Sequence, residues 1–254
     1  MTSKACCTIP AVVSSTDDYV LKGEYTTLDG MRTYVTGAAA ASKTGVLAIH
    51  DVFGLDYWQT LQGADIVAST GRVVVMPDFF RGAVFEPSII PADTEEKMQK
   101  MVAFLDGPAN FENNTEAVKA LVPLLKERFP GVEKWALLGY CWGGKVATLL
   151  SLEGSLFAAS AQVHPARLDP EEAKKLTIPH LCIATNGEDA DTVQKFKEAV
   201  EANEGIAEKS EVVRWEGTFH GFMAARVDLK EKEHLEYYEK GYKKVVQFLK
   251  ATLV

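Results

Sequence analysis

A cysteine set among glycines, between an apolar run and a helical run, is the feature that most restricts how this chain can fold. The segment Gly139–Gly144 reads Gly-Tyr-Cys-Trp-Gly-Gly, after the apolar run 134–138 and before the helical run 145–151. A turn this tight forces Cys141 into strained backbone geometry, so its neighbours must be small. The spacing matches the G-x-S-x-G nucleophile elbow, with cysteine in place of serine. The alternative interpretation is a glycine-rich turn around a buried structural cysteine.

The turn suits a nucleophile for two physical reasons. It lifts the Cys141 sulfur above the edge of the sheet, where a substrate can reach it. It also sets the sulfur near the N-terminus of a helix, whose positive end favours thiolate over thiol.

An acid and a histidine follow the nucleophile in the order that such an elbow requires, each after a later strand. The strand signal 178–184 runs into Thr-Asn-Gly-Glu-Asp, and the strand signal 211–215 leads to His220. The histidine would take the thiol proton, and the acid would fix the histidine tautomer. We predict Asp189 as the acid, because its short side chain suits the orientation of a ring. Asp191 is the reserve candidate, and Glu188 reads equally as a solvated loop charge.

Four sequence blocks occur together in this order. They are His-Asp-Val-Phe-Gly at 50–54 followed by 76–82, the elbow at 139–144, Gly-Glu-Asp at 187–189, and His-Gly-Phe at 220–222. With these blocks the chain resembles the dienelactone hydrolases, and it looks most like their fungal branch in length, acidic balance and N-terminal block. The resemblance covers about residues 45 to 225. It implies a single-domain α/β-hydrolase fold, with a mostly parallel central sheet flanked by helices, and a Cys–Asp–His triad acting on a lactone or other activated ester.

The first block predicts the oxyanion hole and an auxiliary acid. In this fold one oxyanion-hole amide follows the nucleophile and the other comes from an early loop, which indicates the backbone N–H groups of Trp142 and Val52. Asp51 stands where dienelactone hydrolases have a glutamate that contacts the nucleophile thiol. The alternative is a loop carboxylate that caps the helix beginning near Tyr57.

Substrate binding is predicted from two arginines and an aromatic rim. Bacterial members of the family hold a substrate carboxylate with arginines, and Arg81 and Arg226 are the corresponding candidates here. Each also reads as a surface or ion-paired arginine. Phe222 is one of several aromatic residues near the motifs that predict a rim for a planar conjugated ring, although such residues also serve as core. His164 ends a strand at the same sheet edge, so it either lines the pocket or has a structural role.

Strand and helix signals alternate along the whole chain. We expect a tail over residues 1–16 and one domain over 17–254, which starts with a hairpin of strands 19–27 and 31–36. The stretch 81–112 is a loop and helix insertion that can cover the site, with a helix start at Thr94. Strands that alternate with helices imply a parallel sheet with right-handed crossovers.

Composition excludes several function classes. The chain has 254 residues, enough for one large α/β domain, and its net charge of −8 argues against nucleic-acid or anionic-membrane binding. No apolar run is long enough to span a bilayer, and the N-terminus lacks a signal pattern. The four cysteines do not form a disulfide framework, which indicates a cytoplasmic protein. The five histidines show no metal-ligand spacing, so we expect no metal and no cofactor.

Two function classes remain. The favoured one is a carboxylic ester hydrolase, similar to carboxymethylenebutenolidase, that opens an activated lactone or enol ester without a cofactor. It would act on a small molecule, as a monomer or a homodimer. The alternative is an enzyme of secondary metabolism that acts on another acyl or carbon–carbon bond, or a protein that only binds a small ligand. A complete triad favours turnover over binding.

Overall fold

One eight-stranded sheet organises the computed structural model, which describes residues 10–12, 19–37 and 43–254. The strands are β1 (Glu24–Leu28), β2 (Met31–Thr36), β3 (Thr44–Ile49), β4 (Val73–Pro77), β5 (Lys134–Tyr140), β6 (Ala159–Val163), β7 (His180–Thr185) and β8 (Glu211–Trp215). The helices are α1 (Trp58–Ala68), α2 (Glu95–Asp106), α3 (Phe111–Arg128), α4 (Trp142–Leu149), α5 (Pro170–Ala173), α6 (Ala190–Glu201) and α7 (Lys232–Thr252).

The sheet has the order β1-β2-β4-β3-β5-β6-β7-β8. Strands β1 and β2 form the antiparallel hairpin, β2 also pairs antiparallel with β4, and every other neighbouring pair is parallel. Parallel neighbours need a crossover, and the chain supplies helices for these connections. The predicted α/β fold with a mostly parallel sheet is confirmed.

Alternate residues of the central strands are buried against opposite helical layers. On β3, Val46 and Ala48 pack in the cluster that contains the apolar sides of α1 and α7, whereas Leu47 and Ile49 pack in the cluster that contains those of α3 and α4. Side chains of a strand alternate between its faces, so a strand covered on both sides reads as a continuous apolar run. This is why the central strands were recognisable in the sequence.

Some element boundaries differ from the predicted ones. The first strand begins at Glu24 instead of residue 19, and α4 begins directly after the nucleophile turn, at Trp142 instead of residue 145. The predicted tail 1–16 lies mostly outside the described residues. Within it, the Val12 N–H donates to the Ala225 carbonyl at 2.9 Å, so this part of the tail is docked onto the loop after β8.

The carboxyl ends of the parallel strands gather the candidate residues at one edge. The loops after β3, β5, β7 and β8 carry Asp51, Cys141, Glu188 and His220. Helix α2 belongs to the predicted insertion and starts as expected, since the Thr94 side chain accepts the Lys97 N–H at its N-terminus. Within the described part of the chain, no helix has both the length and the apolar composition needed to cross a membrane.

Candidate active site

The turn between β5 and α4 holds Cys141 in a backbone conformation that L residues rarely adopt, with φ 51° and ψ −108°. The residues two positions before and two positions after Cys141 must be glycine for steric reasons. A Cβ on Gly139 would lie 2.1 Å from the Gly143 carbonyl oxygen, and a Cβ on Gly143 would lie 2.3 Å from the Ile49 carbonyl oxygen. The turn therefore has the strained strand-to-helix geometry that the G-x-C-x-G spacing predicted.

Hydrogen bonds from the next strand and its loop hold the elbow in place. The Cys141 N–H donates to the Val163 carbonyl at 3.0 Å, and its carbonyl accepts the Ala166 N–H at 3.1 Å. Cys141 is not part of a disulfide, and it is almost completely buried. The strained residue is thus fixed by β6 and the loop that follows it, which the motif did not reveal.

The carboxylate of Glu188 contacts the candidate histidine. Its Oε1 lies 2.6 Å from His220 Nδ1, and both side chains are buried. Its Oε2 accepts the N–H of Thr185 at 2.5 Å and the Thr185 hydroxyl at 2.8 Å. With both oxygens engaged, Glu188 is fixed in the orientation that sets the proton on Nδ1 and leaves Nε2 as the basic nitrogen of His220.

Our prediction of Asp189 as the acid is therefore corrected. Asp189 is exposed at the N-terminus of α6, where its Oδ1 accepts the Thr192 N–H at 2.8 Å and the Thr192 hydroxyl at 2.7 Å. The hydrogen bonds to Thr192 are the main reason that the pKa of Asp189 is lowered. The reserve candidate Asp191 is exposed in the first turn of the same helix. Asp is a preferred N-cap residue, and this signal was available in the sequence.

Asp51 connects the loop after β3 to the loop after β8. Its Oδ1 accepts the Phe53 N–H at 2.9 Å and its Oδ2 accepts the Ala225 N–H at 3.2 Å. Burial raises the pKa of the Asp51 carboxyl to about 6, while the charge of Arg226 and the two N–H groups oppose that rise. Helix α1 has Tyr57 as its N-cap residue and no side-chain cap, so the helix-capping alternative for Asp51 is wrong.

The Asp51 carboxyl leads to a pH-dependent prediction. If its charge acts on Cys141, it opposes thiol ionisation, so Asp51→Asn should make Cys141 react faster with iodoacetamide. The carboxyl is neutral below its pKa of about 6 and charged above it. The two proteins should therefore alkylate at similar rates below that pH and diverge above it. Equal apparent thiol pKa values in rate–pH profiles would leave Asp51 with only its role in joining the two loops.

The residues that line the pocket at Cys141 do not include Arg81, Arg226 or Phe222, which were predicted as substrate contacts. Arg81 is exposed and binds the β1–β2 turn, with its Nη1 donating to the Asp29 carbonyl at 3.0 Å. Arg226 is buried, with its guanidinium over the Phe53 ring at 5.1 Å. Phe222 is fully buried as core between other rings. Their roles as substrate contacts therefore stay predictions, because sequence proximity to a motif does not tell which side of a loop a side chain takes.

An apolar pocket opens above Cys141. Val52 and Trp142, the two predicted oxyanion-hole residues, line this pocket, and neither backbone N–H donates to another described residue. The residues that line the pocket are Val52, Phe85, Ile90, Met101, Leu105, Phe111, Cys141, Trp142, Ala166 and Arg167. Met101 and Leu105 belong to α2, so the insertion covers the site as expected. The indole N–H of Trp142 donates to the Ala109 carbonyl at 2.8 Å, which fixes this wall of the pocket.

Arg167 is the cation of this pocket, and the sequence analysis missed it. It is exposed, it has a left-handed φ of 50°, and its guanidinium lies 5.2 Å from the centre of the Phe111 ring. Its carbonyl accepts the Lys145 ammonium at 3.0 Å, and Lys145 pairs with the mostly buried Glu172 at 2.5 Å. The ion pair from α4 thus holds the strained backbone that directs Arg167 to the pocket.

His50 joins the loop after β3 to the loop after β4. Its Nδ1 lies 2.8 Å from the Asp51 carbonyl and its Nε2 accepts the Phe79 N–H, so a neutral ring satisfies both contacts. Among the described residues, no group of three or more His, Cys, Asp and Glu side chains is arranged to hold a metal ion.

The chain is similar to several known proteins. The model of the dienelactone hydrolase family matches residues 31–253 of the chain. An uncharacterized AIM2 family protein of Schizosaccharomyces pombe is 31% identical over 252 residues, with 96% of this chain and 98% of that protein covered. A human carboxymethylenebutenolidase homolog is 22% identical over 231 residues, with 89% of this chain and 90% of that protein covered.

Solved structures share the fold. An esterase from Pyrococcus furiosus superposes with a TM-score of 0.65 at 13% identity, and 98% of each chain is covered. This likeness identifies the architecture as the α/β-hydrolase fold, whose catalytic residues lie on loops at the carboxyl edge of the sheet.

Proposed function

This chain belongs to the dienelactone hydrolase family, and we propose that it opens an activated lactone or enol ester through Cys141, His220 and Glu188. It is a carboxylic ester hydrolase. The observation that carries the finer proposal is the buried His220–Glu188 pair at 2.6 Å, on loops at the same sheet edge as the strained Cys141. A protein that only binds a ligand has no need for a buried carboxylate–histidine pair beside a strained thiol.

The first half of the reaction is acyl transfer to sulfur. His220 Nε2 takes the thiol proton as Cys141 Sγ attacks the carbonyl carbon, and Glu188 stabilises the resulting imidazolium. The N–H groups of Val52 and Trp142 donate to the oxyanion. When the tetrahedral intermediate collapses, the ester C–O bond breaks and the imidazolium returns its proton to the leaving oxygen. In a lactone this oxygen stays attached to the acyl chain.

The second half is hydrolysis of the thioester. A water molecule attacks the acyl carbon while His220 accepts one of its protons, and the same two amides again bind the oxyanion. Collapse breaks the C–S bond, the sulfur recovers its proton from His220, and the product leaves as a carboxylic acid. An enol or aryl leaving group suits a thiol nucleophile, because its oxygen leaves as a stabilised anion and so competes with the thiolate when the tetrahedral intermediate collapses.

The proposed reaction is tested with a panel of small lactones, aryl esters and thioesters, assayed with the wild-type and Cys141→Ser proteins. We expect turnover of activated lactones and aryl esters by the wild-type protein, and a large loss with serine because a hydroxyl is much harder to ionise than a thiol. Tight binding without turnover across the panel would instead favour a ligand-binding protein.

We propose that the enzyme is cytoplasmic. The absence of a disulfide at Cys141 and Cys182 supports this location.

We assign the preference for an anionic substrate to Arg167. Arg167→Gln should lower kcat/KM by about 10- to 100-fold for an aryl ester that bears a free carboxylate, because a charge-assisted hydrogen bond is lost. The methyl-capped, neutral form of the same ester should be hydrolysed at an unchanged rate. Arg81→Gln is the matched control, since Arg81 binds Asp29 on the hairpin turn, and it should alter neither rate. Equal losses for both esters would show that Arg167 shapes the pocket and does not select charge.

A further inference from the structure

His164, at the end of β6, is a buried titratable group that the proposed reaction does not use. Its side chain is fully buried, and neither ring nitrogen has a hydrogen-bond partner among the described residues. Buried polar atoms are nearly always paired, because an unpaired one loses its water without compensation. A histidine in this position therefore lowers the stability of the fold, so its presence indicates a role other than packing.

The backbone of His164 is strained as well. Its φ of 40° lies in the left-handed region, and the conformation is held by a hydrogen bond from its N–H to the Ile183 carbonyl at 2.7 Å. Two residues later the Ala166 N–H binds the Cys141 carbonyl. Strain of this kind persists where the surrounding structure enforces it, and it concentrates at functional sites.

The His164 ring packs against the candidate base. Its centre lies 5.1 Å from that of His220, with the rings inclined at 60°, and Phe222 and Tyr140 lie at 5.8 Å and 6.1 Å. His220 thus has the Glu188 carboxylate at Nδ1 and the imidazole of His164 against its ring. The charged groups Asp51 and Arg226 are the other electrostatic neighbours that act on this pair.

His164 keeps a neutral ring. Burial lowers its pKa well below the usual value, and the positive charges of His220 and Arg226 lower it further. A neutral imidazole has one N–H donor and one lone pair, so it has a large dipole. Since no other described residue binds either nitrogen, this dipole can turn to follow the charge on His220.

We propose that His164 is a positioning residue of this active site, whose neutral ring supports His220 and turns its lone pair toward the positive charge that His220 gains on taking the thiol proton. This inference rests on the proposed function, in which His220 is the base. This role of His164 explains why an imidazole occupies a position where an apolar side chain would make the fold more stable. The His164 imidazole thus lowers the stability of the fold while it stabilises the imidazolium of His220.

The experiment uses His164→Leu, which has a similar size and no dipole, and His164→Gln, whose amide dipole can also turn. The titration of His220 is followed by NMR of the imidazole C–H signals in a Cys141→Ala background, so the measurement needs no turnover. We expect His164→Leu to lower the titration midpoint of His220 by about one pH unit, which is a tenfold weaker proton affinity of the His220 ring. His164→Gln should lower this midpoint by less. Thermal unfolding should show a Tm for His164→Leu that is equal to or above that of the parent protein.

His234→Leu is the matched control, because Nδ1 of His234 is also buried without a partner while its ring packs on Phe219. It should leave the His220 midpoint unchanged. An unchanged midpoint in His164→Leu overturns the inference, and a lower Tm alongside it would make His164 a packing residue. If the leucine variant does not fold, the glutamine variant decides the question by the same titration. Loss of the proposed function would appear separately, as absent ester turnover in the wild-type protein.

Discussion

Replacement of Cys141 by alanine is expected to lower kcat by about four orders of magnitude or more. Acyl transfer then has no nucleophile, and only the oxyanion hole and substrate binding remain. The fold should persist, since alanine is smaller than cysteine and meets the same strained φ of 51°. Initial rates on an activated aryl ester measure the first effect, and circular dichroism with thermal unfolding measures the second. A variant that keeps near-wild-type kcat would remove Cys141 from the mechanism.

Alkylation provides an independent measurement of the same assignment. Iodoacetamide should label Cys141 faster than Cys182, since burial and the charge of Glu188 raise the pKa of the Cys182 thiol well above its usual value. Peptide mapping after brief labelling distinguishes the two sites. Preferential labelling of Cys182 would contradict the assignment even if the alanine variant were inactive.

Replacement of Glu188 by glutamine is expected to lower kcat by about three to four orders of magnitude. The second oxygen of Glu188 accepts two hydrogen bonds from Thr185, so a glutamine satisfies them only by keeping its oxygen there. Its NH₂ group then faces His220 Nδ1 and forces the tautomer that carries the proton on Nε2. That tautomer cannot accept the thiol proton. The measurement is kcat at the pH optimum, with KM expected to change little.

Asp189→Asn is the matched control for the glutamine variant. The two acids are adjacent, but Asp189 is exposed and caps α6, and asparagine is an equally good N-cap residue. We therefore expect its kcat and its Tm to stay close to those of the wild-type protein. If Asp189→Asn were the inactive variant and Glu188→Gln the active one, the contact between His220 and Glu188 would be structural, and the acid would have to be reassigned.

The sequence by itself determined the fold class, and it predicted Cys141 as the nucleophile and His220 as the base. Strands buried on both faces read as continuous apolar runs. Gly139 and Gly143 are required because a Cβ would lie 2.1 Å and 2.3 Å from backbone carbonyl oxygens. His220 followed from its place after the last strand. Each of these signals is local, because backbone sterics and the alternation of strands act over a few residues.

The tertiary structure alone decided which carboxylate binds the histidine and which cation faces the pocket. Glu188 and Asp189 are neighbours in the chain, yet one is buried against His220 and the other caps α6, because the loop turns between them. Arg167 and His164 lie on a loop without a recognisable motif, and the contacts that orient them come from residues of α3, α4 and β7. Side-chain direction in a loop depends on packing from distant segments, and no local pattern encodes it.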